Sequence, residues 1–184
     1  MEDKNLIKNG SSSENIVRFL CPENDAFANN NTFELCIFKQ VFIPGTADLA
    51  RMFEQRFQKN HWPPAWRNGL YDIHHYHSTA HEALGVYRGW VEACFGGPGG
   101  IVATAAAGDV IIIPAGVSHQ NLKQSADFRV VGAYPQGQLW NMKYGAPGER
   151  PQVDEEIRRV PLPLKDPVHG SDGPLIKIWG KGRD

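Results

Sequence analysis

A series of short apolar segments separated by Gly and Pro is the feature that most constrains the fold of this chain. Seven such segments have the length of a β-strand, at 71–77, 83–90, 91–95, 101–105, 110–114, 118–122 and 128–134. Their regular spacing favours a sandwich, jelly roll or barrel over a sheet built from βαβ units. The 19 Gly and 13 Pro residues show no collagen-like period and fit many tight turns. We therefore predict an all-β fold.

The rest of the chain is predicted to surround this region. Residues 1–32 are expected to form an N-terminal arm, and residues 33–135 the barrel, which begins with a strand at 33–43. A helix over about 47–60 would begin at Thr46 or Asp48 as its N-cap and end before the two prolines that follow. Residues 136–184 are polar and rich in Pro, so they are expected to pack on the barrel as an extended C-terminal tail.

Charge and cysteine content narrow the possible partners and the compartment. The chain has 19 Lys and Arg against 20 Asp and Glu, for a net charge of -1. We therefore do not expect a basic surface of the kind that binds nucleic acids or anionic membranes. Three cysteines without a CxxC pair do not encode a disulfide framework. The sequence also lacks a signal-peptide core and any apolar run of membrane-spanning length. These features predict a cytoplasmic protein with no membrane partner.

A cluster of histidines, HHYHSTAHE at 74–82, points to metal chemistry. Side chains alternate between the two faces of a strand, so His75 and His77 share one face. Glu82 follows after a short turn, and His119 begins another strand after the turn Pro-Ala-Gly. Three imidazoles and one carboxylate suit a divalent first-row metal such as Fe, Mn, Ni or Zn.

The histidines have two other interpretations. A helical zinc site requires the order HExxH, which the cluster does not contain; His77 and His81 are four residues apart, but the sequence around them favours strands. The histidines could also be simple packing or surface residues. His74 is expected to face outward or to pack, and His81 is expected either to lie in a turn or to orient a metal ligand from behind.

Two motifs resemble those of the cupin family. The first runs Gly69-x5-His75-x-His77-x4-Glu82-x6-Gly89, and the second runs Gly108-x5-Pro114-x-Gly116-x2-His119. The second motif departs from the family pattern at its end, where Lys123 stands in place of the usual Asn. The segments HSTAHEALGVYRG and GDVIIIPAGVSHQNL look like the YjlB-like branch of cupins.

The resemblance implies a double-stranded β-helix, that is, a cupin jelly-roll barrel, with one metal held by His75, His77, Glu82 and His119. It also implies a homodimer that shares edge strands, for which the segment 33–43 is the candidate. Strand alternation and position at strand ends predict further residues that line the pocket: Tyr71, Ile73, Leu84, Val86, Asn121, Arg129, Tyr134 and Trp140.

Several functions remain open for such a chain, because cupins include enzymes and binding proteins. We expect a metal-dependent enzyme, oxygenase-like, that acts on a small organic substrate. The alternatives are a metal-dependent isomerase and a non-catalytic module that binds a small molecule or senses a metal. A GxSxG nucleophile elbow is not found near the histidines.

Overall fold

Two antiparallel sheets form the body of the protein, in a computed structural model that describes residues 15–45 and 48–181. The larger sheet has six strands in the order β1-β2-β7-β4-β9-β3, and the smaller sheet has the order β6-β5-β8. The strands are β1 Ile16–Cys21, β2 Asn30–Phe38, β3 Pro64–Asn68, β4 Glu82–Arg88, β5 Trp90–Phe95, β6 Ile101–Ala106, β7 Val110–Ile113, β8 His119–Gln124 and β9 Arg129–Ala133. The helices are α1 Leu49–Lys59, α2 Gln152–Arg159 and α3 Pro174–Gly180. The all-β jelly-roll prediction is confirmed.

The large sheet is buried on both faces, which explains why its central strand β7 is apolar throughout. In β7, Ile111 and Ile113 point between the two sheets, whereas Val110 and Ile112 point to the outer face. Helix α1 covers that outer face, and its Phe53 packs so closely against Gly85 that a Cβ there would lie 2.6 Å from the Phe53 ring. The resulting core has two layers, one inside the barrel and one beneath the helices.

Most strand predictions agree with the structure to within two residues, and the exceptions have local causes. The segment 33–43 leaves the sheet after Phe38, where Gln40 has a φ of 52° and its N–H donates to the Asp109 carboxylate at 2.8 Å. The segment 71–77 is not a regular strand but meets β8 through a single bridge between His75 and His119. The short strand β3 begins at the second of two adjacent prolines, Pro64, and was not predicted.

Strand β1 lies within the predicted N-terminal arm, and it pairs with β2 as an edge of the large sheet. Consequently β2 has neighbours on both sides, β1 and β7, and the segment 33–43 is not the free edge that the dimer prediction assumed. Helix α1 begins with Asp48 as its N-cap, whose carboxylate accepts a hydrogen bond from the Arg51 N–H at 3.2 Å. The other predicted cap, Thr46, lies outside the described residues.

The three cysteines are buried free thiols, and burial raises the pKa of Cys21 and Cys36 to about 12. They therefore behave as small apolar residues, as the sequence suggests. None of the helices in the described part of the chain has the length and apolarity to cross a bilayer.

The C-terminal segment contains two helices where the sequence predicts only an extended tail. Helix α3 is fixed by the buried carboxylate of Asp166, which accepts hydrogen bonds from the backbone N–H groups of Val168 at 2.8 Å, His169 at 3.0 Å and Leu175 at 3.0 Å. Trp179 then packs against Phe33 with ring centroids 5.2 Å apart. The last part of the chain is therefore an integral layer over the outer face of the large sheet.

We expect Asp166→Ala to lower the free energy of unfolding by about 2 kcal/mol, because three backbone donors, those of Val168 and Leu175 buried, would lose their acceptor. Urea unfolding followed by circular dichroism measures the change. Asp172→Ala, at an exposed position in the same segment, is the matched control and should change stability by less than about 0.5 kcal/mol. Equal stability of the two variants would contradict this account of the tail.

Candidate metal centre

The predicted ligands meet at one end of the barrel, where the two sheets come together. Glu82 is the first residue of β4 in the large sheet, and His119 is the first residue of β8 in the small sheet. His75 pairs with His119 through two backbone hydrogen bonds of 3.2 and 2.9 Å, so their side chains lie side by side. All four side chains, including His77, are at most 5% exposed.

The turn before His119 requires a glycine. Gly116 has a φ of 90°, and a Cβ at this position would lie 2.4 Å from the carbonyl oxygen of Asn29. Its N–H donates to the carbonyl of His77 at 2.8 Å. This tight approach positions the start of β8 against the segment that carries the other histidines.

The potential ligand atoms of His77, Glu82 and His119 all lie within 4.8 Å of one another. The Nε2 atoms of His77 and His119 are each 3.4 Å from a different oxygen of the Glu82 carboxylate. His75 stands beside this trio, with its ring centroid 4.1 Å from that of His119 and 6.1 Å from that of His77. The cluster therefore consists of three close ligands and a fourth histidine adjacent to them.

Backbone carbonyls orient the three imidazoles in the same way. The Nδ1 atom of His75 lies 3.0 Å from the carbonyl oxygen of Ile73, and that of His119 lies 3.1 Å from the carbonyl oxygen of Val117. The Nδ1 atom of His77 is hydrogen-bonded to the carbonyl of Asn141. Because a carbonyl can only accept, each Nδ1 carries a proton and donates it, which in a neutral imidazole leaves the lone pair on Nε2.

The electrostatics favour a carboxylate surrounded by imidazoles. Burial alone raises the pKa of the Glu82 carboxyl, but His77 and His119 outweigh that effect and hold this pKa well below its usual range. Burial and the neighbouring His119 lower the pKa of His75 to about 3, so its imidazole is neutral near pH 7. Burial lowers the pKa of His77, but the Glu82 carboxylate more than compensates and raises it.

The cluster fits a divalent metal on the chemistry of its own atoms. The Oε2 atom of Glu82 and the Nε2 atom of His119 are buried without a hydrogen-bond partner among the described residues. Buried polar atoms are rarely left in this state, because the loss of water is uncompensated. A cation between them would accept lone pairs from both atoms. Nitrogen ligands disfavour Ca²⁺ and Mg²⁺ and favour a first-row transition metal.

Tyr134 supports the carboxylate from behind. Its hydroxyl donates to Oε1 of Glu82 at 2.7 Å and accepts a hydrogen bond from the Trp66 indole N–H at 3.0 Å. Burial and the Glu82 carboxylate raise the pKa of Tyr134, so its phenol stays protonated and remains a donor. The chain Trp66–Tyr134–Glu82 thus orients the carboxylate.

The C-terminal segment holds His77 through Asn141. Besides the carbonyl that binds the His77 ring, the Asn141 side-chain oxygen accepts from the Ser78 N–H at 2.9 Å, and its amide nitrogen donates to the Ser78 hydroxyl at 2.7 Å. The Ser78 hydroxyl in turn donates to the Glu156 carboxylate on α2. Asn141 was not singled out by sequence reasoning, since it is 64 residues from His77 and no local pattern marks the contact.

A cavity of about 390 Å³ opens beside the cluster. It is lined by Ala65, Trp66, Asn68, Gly69, Leu70, Tyr71, His75, His77, Glu82, His119, Tyr134, Trp140 and Met142. All four predicted ligands face this cavity. Among the other predicted pocket residues, Tyr71, Tyr134 and Trp140 line it as well.

The remaining predicted pocket residues lie elsewhere. Leu84 and Val86 share the inward face of β4 with Glu82, but they lie deeper, in the packed core between the sheets. Ile73 is 52% exposed. Asn121 donates to the carbonyl of Leu70 at 3.3 Å instead of facing the cavity, and the exposed Arg129 donates to the carbonyl of Phe128 at 2.6 Å.

The other two histidines of the segment 74–82, His74 and His81, face away from the candidate ligands. The Nδ1 atom of His81 accepts the Ala115 N–H at 2.9 Å, and its ring packs 4.7 Å from the ring of Trp179. It supports the turn before His119. The Nδ1 atom of His74 lies 3.1 Å from the hydroxyl of Ser118.

Comparison with known proteins gives one close sequence relative. The chain is 34% identical over 163 residues to the Bacillus subtilis (strain 168) protein YjlB, a match that covers 89% of this chain and 96% of that protein. A search of family models finds no match.

Two solved structures are more distantly similar. A DUF861 family protein from Thermotoga maritima shares 21% identity over 45% of this chain and 85% of its own, with a TM-score of 0.31. RmlC from Streptococcus suis, solved in complex with dTDP-D-xylose, shares 12% identity over 89% of this chain and 93% of its own, with a TM-score of 0.35. Neither likeness supports an inference about the activity of this chain.

We expect the purified protein to carry close to one equivalent of a transition metal, and His77→Ala to retain less than about a tenth of it, because three close donors would become two. Elemental analysis after gel filtration measures the content. His74→Ala, in the same segment but directed away from the cluster, is the matched control and should keep the wild-type content. A wild-type protein that takes up no metal on reconstitution would refute the site.

Tyr134→Phe should weaken metal binding about 10- to 100-fold while leaving the fold intact, because it removes only the hydroxyl that orients Glu82. Competition against a chelating indicator measures the dissociation constant. Tyr144→Phe, at a half-exposed tyrosine outside the cavity, should bind metal like the wild type. An unchanged constant in Tyr134→Phe would show that the hydroxyl does not support the ligand.

Proposed function

Because this chain belongs to the YjlB-like branch of the cupins, we propose that it is a metal-dependent enzyme, oxygenase-like, that acts on a small organic substrate. His75, His77, Glu82 and His119 would hold one divalent metal, with Fe, Mn, Ni and Zn as the candidates. The observation that carries the proposal is the common orientation of the three imidazoles, whose Nδ1 atoms all donate to backbone carbonyls. The metal, when bound, would supply Lewis-acid chemistry toward an oxygen of the substrate and, if it is iron(II), redox chemistry with dioxygen.

The residues of the chain have separate tasks in this proposal. The carbonyls of Ile73, Asn141 and Val117 keep the imidazole rings in one orientation, and Tyr134 holds the carboxylate. Trp140 lies at the mouth of the cavity, with its ring 5.6 Å from that of His77, and it limits the access of water to the cluster. These groups hold and orient the ligands of the metal, so the reactivity would come from the metal.

The composition of the cavity favours this chemistry over an isomerase or a covalent mechanism. Among the described residues, its lining contains no serine, cysteine or lysine, so a nucleophile of these three types has no candidate there. A metal-dependent isomerase needs a group that moves a proton between carbons. Apart from the four ligands, the titratable residues of this lining are Tyr71 and Tyr134, and Tyr134 is committed as a donor to Glu82.

Oxygen uptake by the Fe(II)-loaded protein, measured with an electrode against a panel of diketones, thiols and catechols, tests the proposal. We expect at least one compound to stimulate uptake, and His77→Ala, which lacks a close ligand, to lose the stimulation. Turnover without oxygen uptake would favour the isomerase. Tight binding without any turnover across the panel would favour a binding or sensing module.

We also propose that the protein is a homodimer, as the family resemblance implies. Among the described residues β1 forms an edge of the large sheet, and its Val17 and Leu20 are 47% and 45% exposed. An exposed apolar edge strand offers unpaired backbone groups with which a second chain can pair. Light scattering should give twice the chain mass of 20.5 kDa, and Val17→Lys should shift the protein toward the monomer.

A further inference from the structure

We propose that the cavity beside the cluster binds a small planar ligand, aromatic or conjugated, with one anionic oxygen-donor group and no second charged group. The inference rests on the proposed function, because the donor group would bind the metal held by the histidines. Trp140 is the residue that selects this class of ligand.

Aromatic side chains form much of the cavity wall. Trp140 stacks on Tyr134 with ring centroids 5.5 Å apart and an interplanar angle of 18°. Tyr71 lies on the lining with its ring 5.2 Å from that of His75. Trp140 is 46% exposed and Tyr71 is 54% exposed, so both offer aromatic surface that a ligand would cover. A flat conjugated body gains more from such surfaces than a puckered one of the same size, because aromatic groups prefer offset-stacked or edge-to-face contact.

The charge of the lining restricts the ligand further. Among the described residues, the lining includes no Lys or Arg, and its one acidic residue, Glu82, belongs to the cluster. An anionic group away from the cluster would lose water without gaining a cationic partner. A single anionic donor at the cluster has no such penalty, since the metal would neutralise it. Phosphorylated and dicarboxylate ligands are therefore disfavoured.

The volume sets the size of the ligand. At about 390 Å³ the cavity lies near the lower end of the range of about 300 to 1,000 Å³ that is usual for small-molecule sites. A single ring with a short donor group fits this space. Leu70 and Met142 add apolar surface to the lining, which favours an uncharged body.

Four hydroxamates with the same chelating head test the inference on metal-loaded protein by isothermal titration calorimetry. Benzohydroxamate should bind about tenfold more tightly than acetohydroxamate, a factor that burial of a ring easily supplies. Cyclohexanecarbohydroxamate, of similar size but not planar, should bind less tightly than benzohydroxamate. 4-Carboxybenzohydroxamate, which adds a second anionic group, should bind about tenfold less tightly than benzohydroxamate.

Substitutions of Trp140 test whether this residue causes the preference for a ligand with an aromatic ring. Trp140→Ala should reduce the ratio between benzohydroxamate and acetohydroxamate to about threefold or less, and Trp140→Phe, which keeps a flat ring, should retain most of it. Leu139→Ala is the matched control, because Leu139 is the neighbouring residue, 85% exposed and outside the lining. Elemental analysis of each variant shows whether the metal is still bound.

The outcomes separate this inference from the proposed function. Equal affinities for the four probes in a protein that holds its metal would overturn the ligand class and leave the metal site standing. A preference for the ring that survives Trp140→Ala would overturn the role of Trp140. A protein that takes up no metal and binds none of the probes would overturn both proposals together.

Discussion

A buried negative charge organises this end of the barrel. Glu82 is 2% exposed, and an ionised carboxylate at such a position is tolerated only when the loss of water is compensated. The compensation comes from different parts of the fold: His119 from the small sheet, His77 from the segment before β4, and Tyr134 just after β9. These groups are brought to one carboxylate by three features of the fold: the two sheets, the turn at Gly116 and the path of the chain before β4.

The C-terminal segment is part of the site as well as a cover for the barrel. Asn141 binds the ring of His77 through its carbonyl, and α2 is joined to the same region through Glu156 and Ser78. Further along, Asp166 and Trp179 fasten α3 to the outer face of the large sheet. The barrel alone would supply the ligands, but the orientation of one ligand and a wall of the cavity depend on residues beyond 135.

The features that depend on residues close together in the sequence could be predicted from it. The four candidate ligands were identified because strand alternation and turn residues act over two to six positions, and the structure brings three of them within 4.8 Å of one another. Alternation also placed Leu84 and Val86 on the same face as Glu82, but it does not specify depth, and both side chains lie in the core. Helices α2 and α3, of eight and seven residues, are too short for a clear period. The contacts of Asn141 and Tyr134 span 64 and 52 residues, so only the folded chain reveals them.

The attachment of Asn141 to His77 through a main-chain carbonyl has a consequence for how this fold can diversify. Any amino acid supplies that carbonyl, so the hydrogen bond to the imidazole does not itself require a particular side chain, whereas the bonds between Asn141 and Ser78 do. Trp140, one position earlier, contributes a side chain to the cavity wall and is 46% exposed. Substitutions at this position can therefore reshape the ligand cavity while the metal-binding geometry is conserved, so that relatives sharing the same histidines can recognise different molecules.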